Sequence, residues 1–182
     1  MDYGKINSEE RKLVKDCLKG SPLAQKKLFK KFYGLVMTIC LRYANDKDEA
    51  KDILQESFIK VFKNLSNFKF EGSLRTWIQR IVINTAIDKY RKDKQESGKI
   101  RIDNNTIIPE AESIVSNLNK DDLMKCISML PTGYRTVFNL FVIEGYTHKD
   151  IADKLGISEG TSKSQLFKAK QILQQYIKER FS

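Results

Sequence analysis

Residues 144–170 read EGYTHKDIADKLGISEGTSKSQLFKAK, and no other stretch says more about how this chain folds. Thr147 can cap a helix, with Asp150 three residues later. Gly156 stands where the chain must turn through a left-handed conformation, which glycine adopts without steric cost. Ser158 can then cap a second helix. A short helix, a glycine turn and a second helix predict a helix-turn-helix, whose second helix enters the major groove of duplex DNA.

The second helix of this motif is predicted to carry an exposed polar face. Leu166, Ala169 and Leu173 are expected to face the core. The polar residues expected on the exposed side are Ser158, Thr161, Ser162, Lys163, Ser164, Gln165, Lys168 and Lys170. Such groups suit phosphates and base edges. An ordinary helical hairpin with a glycine cap and a solvated lysine face stays open as the alternative.

The charge of the whole chain also favours an acidic polymer as partner. Its 182 residues include 33 Lys and Arg against 23 Asp and Glu, which gives a net charge of +10 and a pI of about 9.4. A surplus of this size favours nucleic acid first and an anionic membrane second.

A second candidate surface lies on the helix predicted from Ser73 to about Lys92. Wheel geometry places a thin polar arc beside its apolar face. This arc contains Arg80, Asn84 and Arg91, with Asp88 at its margin. The loop before the helix offers Phe68, Lys69 and Phe70. Basic groups with interleaved aromatic rings suit single-stranded nucleic acid. The alternative, slightly favoured by the chemistry alone, is that Trp77 and the phenylalanines are core residues and the arginines are solvated.

A third candidate surface is one helical turn that carries Asp52, Gln55 and Glu56 in a basic region of the chain. Asp52 and Glu56 share a helix face by their spacing and could hold a basic partner. Pairing within the helix to Lys51 or Lys60 is the simpler explanation, because exposed charged turns of this kind are common.

The chain as a whole is predicted to be all-α, in two small helical domains joined by a flexible linker. We expect helices over 8–20, from Ser21-Pro22, from about Asp46 and over 73–92 in the first domain, residues 1–94. Residues 95–116 have no visible period and are predicted to be the linker. Shorter helices over 119–130, 134–143, 147–155 and 158–178 follow in the second domain, residues 117–182.

The order of these motifs resembles the sigma-70 superfamily, and within it the small extracytoplasmic-function (ECF) sigma factors of bacterial RNA polymerase. The segments that carry the resemblance are DILQESFIKVFKNL (52–65), WIQRIVINTAIDKYRK (77–92) and EGYTHKDIADKLGISEGTSKSQLFKAK (144–170). The resemblance covers nearly the whole chain. Residues up to about 94 are similar to the sigma-two domain, and residues 117–178 to the sigma-four domain.

This resemblance implies a role for each candidate surface. Asp52, Gln55 and Glu56 match the acidic turn that docks on the clamp helices of the polymerase core. The loop from Phe68, with Lys69 and Phe70, matches the one that takes up a flipped base of the minus-ten promoter element. The helix that melts and holds this element is matched by Trp77, Arg80, Asn84, Asp88, Arg91 and Lys92. The recognition helix for the minus-thirty-five element is matched by Ser158, Thr161, Ser162, Lys163, Gln165 and Lys168, although the family usually has arginine at the position of Gln165.

The same resemblance implies partners, and the residue composition argues against catalytic and metal sites. It implies the polymerase core, promoter DNA and an anti-sigma factor, often anchored in the membrane. Three cysteines without a CxxC pair and a single histidine leave little for a metal site or a histidine-based triad. We therefore expect no catalytic residues, no metal, no cofactor and no small-molecule substrate. The absence of a signal or membrane-spanning pattern favours the cytoplasm.

Two other functions stay open. One is a free-standing helix-turn-helix regulator, which would need a dimer interface and a palindromic site. The other is a helical adaptor that binds acidic proteins and lacks salt-sensitive affinity for DNA.

Overall fold

The computed structural model describes residues 8–96 and 120–181, and every regular element in these two ranges is a helix. The chain divides into two compact units, Met1–Ala86 and Ile87–Ser182, so the division falls within one long helix. Of the predicted linker 95–116, Gln95 and Glu96 belong to this helix, and the other residues lie outside the described ranges. Two-domain, all-helical architecture is therefore confirmed for the described parts of the chain.

The N-terminal part of the chain forms a series of helices, of which the second and third begin directly after a capping side chain. They are α1 (Ser8–Leu18), α2 (Pro22–Tyr43), α3 (Lys47–Asn64), a short 3-10 turn (Leu65–Asn67) and α4 (Leu74–Glu96). The Ser21 hydroxyl accepts a hydrogen bond from the Ala24 amide at 3.3 Å. The Asp46 carboxylate accepts bonds from the Asp48 and Glu49 amides at 2.9 and 2.8 Å. Such caps satisfy amide groups that have no partner inside the helix.

The core of the N-terminal unit contains the apolar stripes of α2 and α3, which pack against each other, together with the buried stripe of α4. The fully buried side chains include Leu28, Val36, Ile39, Val61, Leu65, Leu74, Ile78 and Val82. Helix α1 packs against α2, and an ion pair of 2.8 Å between Glu10 and Lys31 joins the two. Burial of one apolar stripe per helix leaves the opposite polar faces of α3 and α4 in solvent, where the candidate surfaces lie.

The second group of helices follows the predicted order. They are α5 (Lys120–Ser128), α6 (Thr132–Phe138), a π-helical turn (Asn139–Ile143), α7 (His148–Leu155) and α8 (Glu159–Phe181). The single helix expected over 134–143 thus starts two residues earlier and ends in a π-helical turn. Helix α8 packs against α6 and α7. Arg135 is buried and donates to the carbonyls of Ser128 and Leu130 at 2.9 and 3.2 Å, which satisfies the C-terminal end of α5.

Two further properties of the described residues concern the reactivity of their cysteines and whether their helices could cross a membrane. Cys17, Cys40 and Cys126 are free and buried, and burial raises the pKa of the Cys40 thiol to about 12, so it does not ionise at neutral pH. Within 8–96 and 120–181, no helix combines the length and apolar composition that a bilayer crossing requires.

Candidate nucleic-acid interface

Local hydrogen bonds fix the helix-turn-helix of α7 and α8. The Thr147 amide and hydroxyl both donate to the Asp150 carboxylate, and the Asp150 amide donates back to the Thr147 hydroxyl at 3.1 Å. Gly156 adopts φ 63° and ends α7 in the left-handed conformation. The Ser158 hydroxyl accepts a bond from the Thr161 amide at 3.0 Å at the start of α8. The caps and the glycine turn predicted from the sequence are therefore confirmed.

The hydrogen bonds from Thr147 also lower the pKa of the Asp150 carboxyl group. Because the hydroxyl and amide of Thr147 hydrogen-bond to the ionised carboxylate, the pKa of Asp150 lies below its usual range. The carboxylate therefore keeps its charge at neutral pH and stays at the N-terminus of α7, where negative charge is favoured.

The exposed face of α8 differs from the expectation at two positions. Ser158 and Lys163 are exposed, and Thr161, Ser164 and Lys168 are half-buried. Ser162 and Gln165 have no accessible surface. Their expected exposure was wrong, because this part of α8 also packs against α6. Gly133 of α6 lies so close to the Gln165 side chain that a Cβ atom at this position would be only 3.6 Å from Oε1 of Gln165. In this conformation neither side chain can reach a base edge.

His148 is a site residue that the sequence did not indicate. Its Nδ1 and the Ser162 hydroxyl share a hydrogen bond of 2.9 Å, and its ring stacks on Phe141 at 4.4 Å between centroids. Burial, followed by the nearby charge of Lys163, lowers the pKa of His148. His148 therefore joins the first turn of α7 to the first turns of α8 as a neutral ring. No sequence pattern links His148 to Ser162, because the two residues are fourteen positions apart.

The polar arc of α4 is present in the structure as a continuous exposed stripe. Arg80, Asn84, Asp88 and Arg91 are all exposed and follow one another at spacings of four, four and three residues. At about 1.5 Å of rise per residue, the stripe is about 16 Å long. Lys92 is exposed beside it, 3.8 Å from Glu96. Arg80, Arg91 and Lys92 together present positive charge along one side of α4.

The loop before α4 is an aromatic cluster. The Phe68 ring lies 5.1 Å from that of Phe70 and 5.5 Å from that of Trp77. Phe68 is only 6% exposed and therefore belongs to the core, as the alternative for these aromatic residues anticipated. Phe70 and Trp77 are half-buried, and Lys69 is exposed. Phe70 and Trp77 thus keep part of their surface accessible to a ligand, while the buried Phe68 ring contacts both of them.

The acidic turn of α3 is exposed and lies beside an apolar residue. Asp52, Gln55 and Glu56 are all exposed. Glu56 pairs with Lys60 at 3.0 Å, as the simpler explanation expected, whereas Lys51 pairs with Asp48 at 2.7 Å.

Ile59 shares the face of this acidic turn and is 53% exposed. Ile59 was not among the residues predicted from the sequence. Its signal was an isoleucine three residues after Glu56, off the buried stripe of α3. We define the docking face as Asp52, Gln55, Glu56 and Ile59.

Comparison with protein families assigns both groups of helices. Residues 28–96 match sigma-70 region 2, and residues 120–173 match sigma-70 region 4. The RNA polymerase sigma factor SigV of Bacillus subtilis is 30% identical over 143 residues, which cover 78% of this chain and 81% of that protein. The chain belongs to the sigma-70 family, in its extracytoplasmic-function (ECF) group of RNA polymerase sigma factors.

Other relatives align over almost the whole chain. The RNA polymerase sigma-H factor of Pseudomonas aeruginosa is 27% identical and is covered over 92% of its length, with 91% of this chain aligned. The ECF RNA polymerase sigma factor SigW of Bacillus subtilis is 26% identical, with 93% of this chain and 97% of that protein aligned. A solved sigma factor RpoE from Bartonella quintana, in complex with the anti-sigma factor NepR, is 24% identical with a TM-score of 0.49, over 84% of this chain and 96% of that one.

Proposed function

We propose that this sigma factor directs a bacterial RNA polymerase to promoters through three surfaces. The docking face of α3 binds the clamp helices of the polymerase core. The aromatic loop and the stripe of α4 hold the unpaired minus-ten element. The exposed part of the α7–α8 motif binds the duplex at the minus-thirty-five element. Each surface keeps the exposed and half-buried residues predicted from the sequence, and Ile59 is added to the docking face. The buried residues Phe68, Ser162 and Gln165 support their surfaces from within the fold and contact no base.

The observation that carries the proposal is the presence of two unlike nucleic-acid surfaces in one chain. A capped helix-turn-helix is rigid and suits the major groove of a duplex. Half-buried aromatic rings beside a line of exposed arginines suit unstacked bases and their backbone. Unstacking a base costs a few kcal/mol, and stacking and phosphate contacts offset this cost. A regulator that binds only duplex DNA has no use for the second surface.

Domain roles follow from this division. We assign residues 1–94 to core binding and promoter melting, 117–182 to the upstream duplex, and 95–116 to the connection between them. The protein then contributes binding energy and catalyses no covalent step. We also propose that it works in the cytoplasm, where the polymerase is found, and that an anti-sigma factor controls it.

The decisive experiment is multi-round transcription on fragmented genomic DNA with purified bacterial core polymerase, with and without this chain. New, discrete start sites that depend on the chain are expected, and they also reveal the promoter. A variant with Asp52→Ala and Glu56→Ala should lose these starts because it binds the core less well. If no new starts arise and the core does not bind the chain, the proposal fails and the free-standing duplex-binding regulator becomes the better explanation.

A further inference from the structure

Phe70 has a backbone conformation that its side chain disfavours. Its φ is 60°, and it is the only non-glycine residue with positive φ among the residues that the structure describes. A bulky side chain in this region is strained, whereas glycine adopts it without penalty. Such strain persists only where the surroundings hold the residue in place, and it often marks a functional loop.

Arg11 of α1 provides such a hold. Its guanidinium carbon lies 4.9 Å from the centroid of the Phe70 ring, within the range of a cation–π contact. Helix α1 is itself fixed to α2 by the ion pair of Glu10 with Lys31. The guanidinium therefore belongs to a helix that packs against α2, and it contacts the loop from outside it.

The contact continues from Phe70 to the helix that carries the polar stripe. Phe70 touches Phe68, and Phe68 touches Trp77 in the first turn of α4. A shift of Phe70 would thus change the support of Trp77 as well as the shape of the loop. Arg11 of α1 is not among the predicted minus-ten residues, yet ring contacts connect it to all three aromatic residues that are: Phe70, Phe68 and Trp77.

We propose that Arg11 is a positioning residue for the minus-ten loop: it holds Phe70 in its left-handed conformation and so shapes the loop for an unpaired base. This inference rests on the proposed function of the loop. It adds a residue of α1 that touches no DNA and acts only through Phe70.

Hydrogen exchange on the full chain tests the hold without any DNA. Arg11→Ala should speed amide exchange in residues 68–73, because the loop then leaves the strained conformation more often. Lys12→Ala is the matched control, since it removes an exposed positive charge from the neighbouring position of α1 and should leave exchange unchanged. Unchanged exchange in the Arg11→Ala variant would overturn the proposal.

Binding of a random-sequence single-stranded DNA 12-mer tests the consequence. Trp77 is the single tryptophan of the chain, so its fluorescence reports binding directly. Arg11→Ala should weaken binding about two- to fivefold, the range expected for loss of one exposed cation–π contact. Lys12→Ala should bind as the unchanged chain does. A wild-type chain that binds no 12-mer would count against the proposed function of the loop, while the exchange experiment would still decide the role of Arg11.

A strain-relieving substitution separates positioning from direct contact. Phe70→Gly allows the left-handed conformation without a holding residue, so adding Arg11→Ala to it should cost no further affinity. The dependence of affinity on salt should also be the same with and without Arg11. If Arg11→Ala still weakens binding in the Phe70→Gly chain and lowers the salt slope by about 0.7, Arg11 contacts a phosphate and the positioning role is refuted.

Discussion

Replacing Ile59 by alanine should weaken the binding of this chain to the polymerase core. Full burial of an isoleucine side chain is worth about 1.5–3 kcal/mol relative to exposure. Because Ile59 is 53% exposed in the free chain, its burial by a partner is worth roughly half of that, about 0.8–1.6 kcal/mol. Loss of this contribution corresponds to an increase of about 4- to 15-fold in Kd.

The assay is a titration of labelled chain with bacterial core polymerase. Leu23→Ala is the control, because Leu23 on α2 is 72% exposed and lies outside the docking face. Because Ile59 is already about half buried in the free chain, Ile59→Ala should also lower the free energy of unfolding by about 1 kcal/mol, so the titration is done at a temperature where thermal melts show both variants to be folded. Equal affinities of the two variants for the core would refute the reasoning, since the effect would then not depend on the α3 face.

Three further predictions concern the nucleic-acid surfaces. Arg80→Ala combined with Arg91→Ala should impair promoter melting more than core binding, because the stripe of α4 loses two of its charges; unchanged permanganate reactivity of the melted region would contradict this. Thr147→Ala should lower the free energy of unfolding, measured by thermal melts, by about 1 kcal/mol through loss of the α7 cap. Thr38→Ala is the control: the Thr38 hydroxyl only donates to a carbonyl of its own helix, so this change should alter the free energy of unfolding by less than about 0.5 kcal/mol. Because the folded state lowers the pKa of His148, the unfolded chain takes up its proton first, so stability should fall as the pH drops through the ordinary value of 6.5; a His148→Gln variant that melts with the same pH dependence would rule this out.

Local chemistry explains why helix boundaries could be predicted so well. Ser21, Asp46 and Thr147 cap their helices through bonds to amides two or three residues away. Gly156 turns the chain because only its own backbone has to adopt the left-handed conformation. None of these features depends on another part of the molecule. A sequence therefore contains all the information that they need.

Packing between helices explains what the sequence could not show. The polar residue type of Gln165 suggested an exposed position, but Gln165 is the i,i+4 neighbour of the buried Ala169, and α6 approaches the same face at Gly133. The bond of His148 to Ser162 likewise depends on how α7 and α8 cross. The left-handed conformation of Phe70 has no sequence signal at all, since the residue type argues against it.

The two surfaces proposed to bind nucleic acid differ in how their side chains are held, and this difference fits their proposed tasks. The α7–α8 motif is fixed by a capping box, a glycine turn and the bond of His148 to Ser162, so its exposed residues meet a duplex with little loss of entropy. The loop before α4 instead contains a strained residue, Phe70, which contacts the buried Phe68 ring on one side and Arg11 on the other. Because strain at Phe70 lowers the stability of this loop conformation, mild destabilisation should release the loop before the helix-turn-helix unfolds, and promoter melting should then be lost at a lower denaturant concentration than duplex binding.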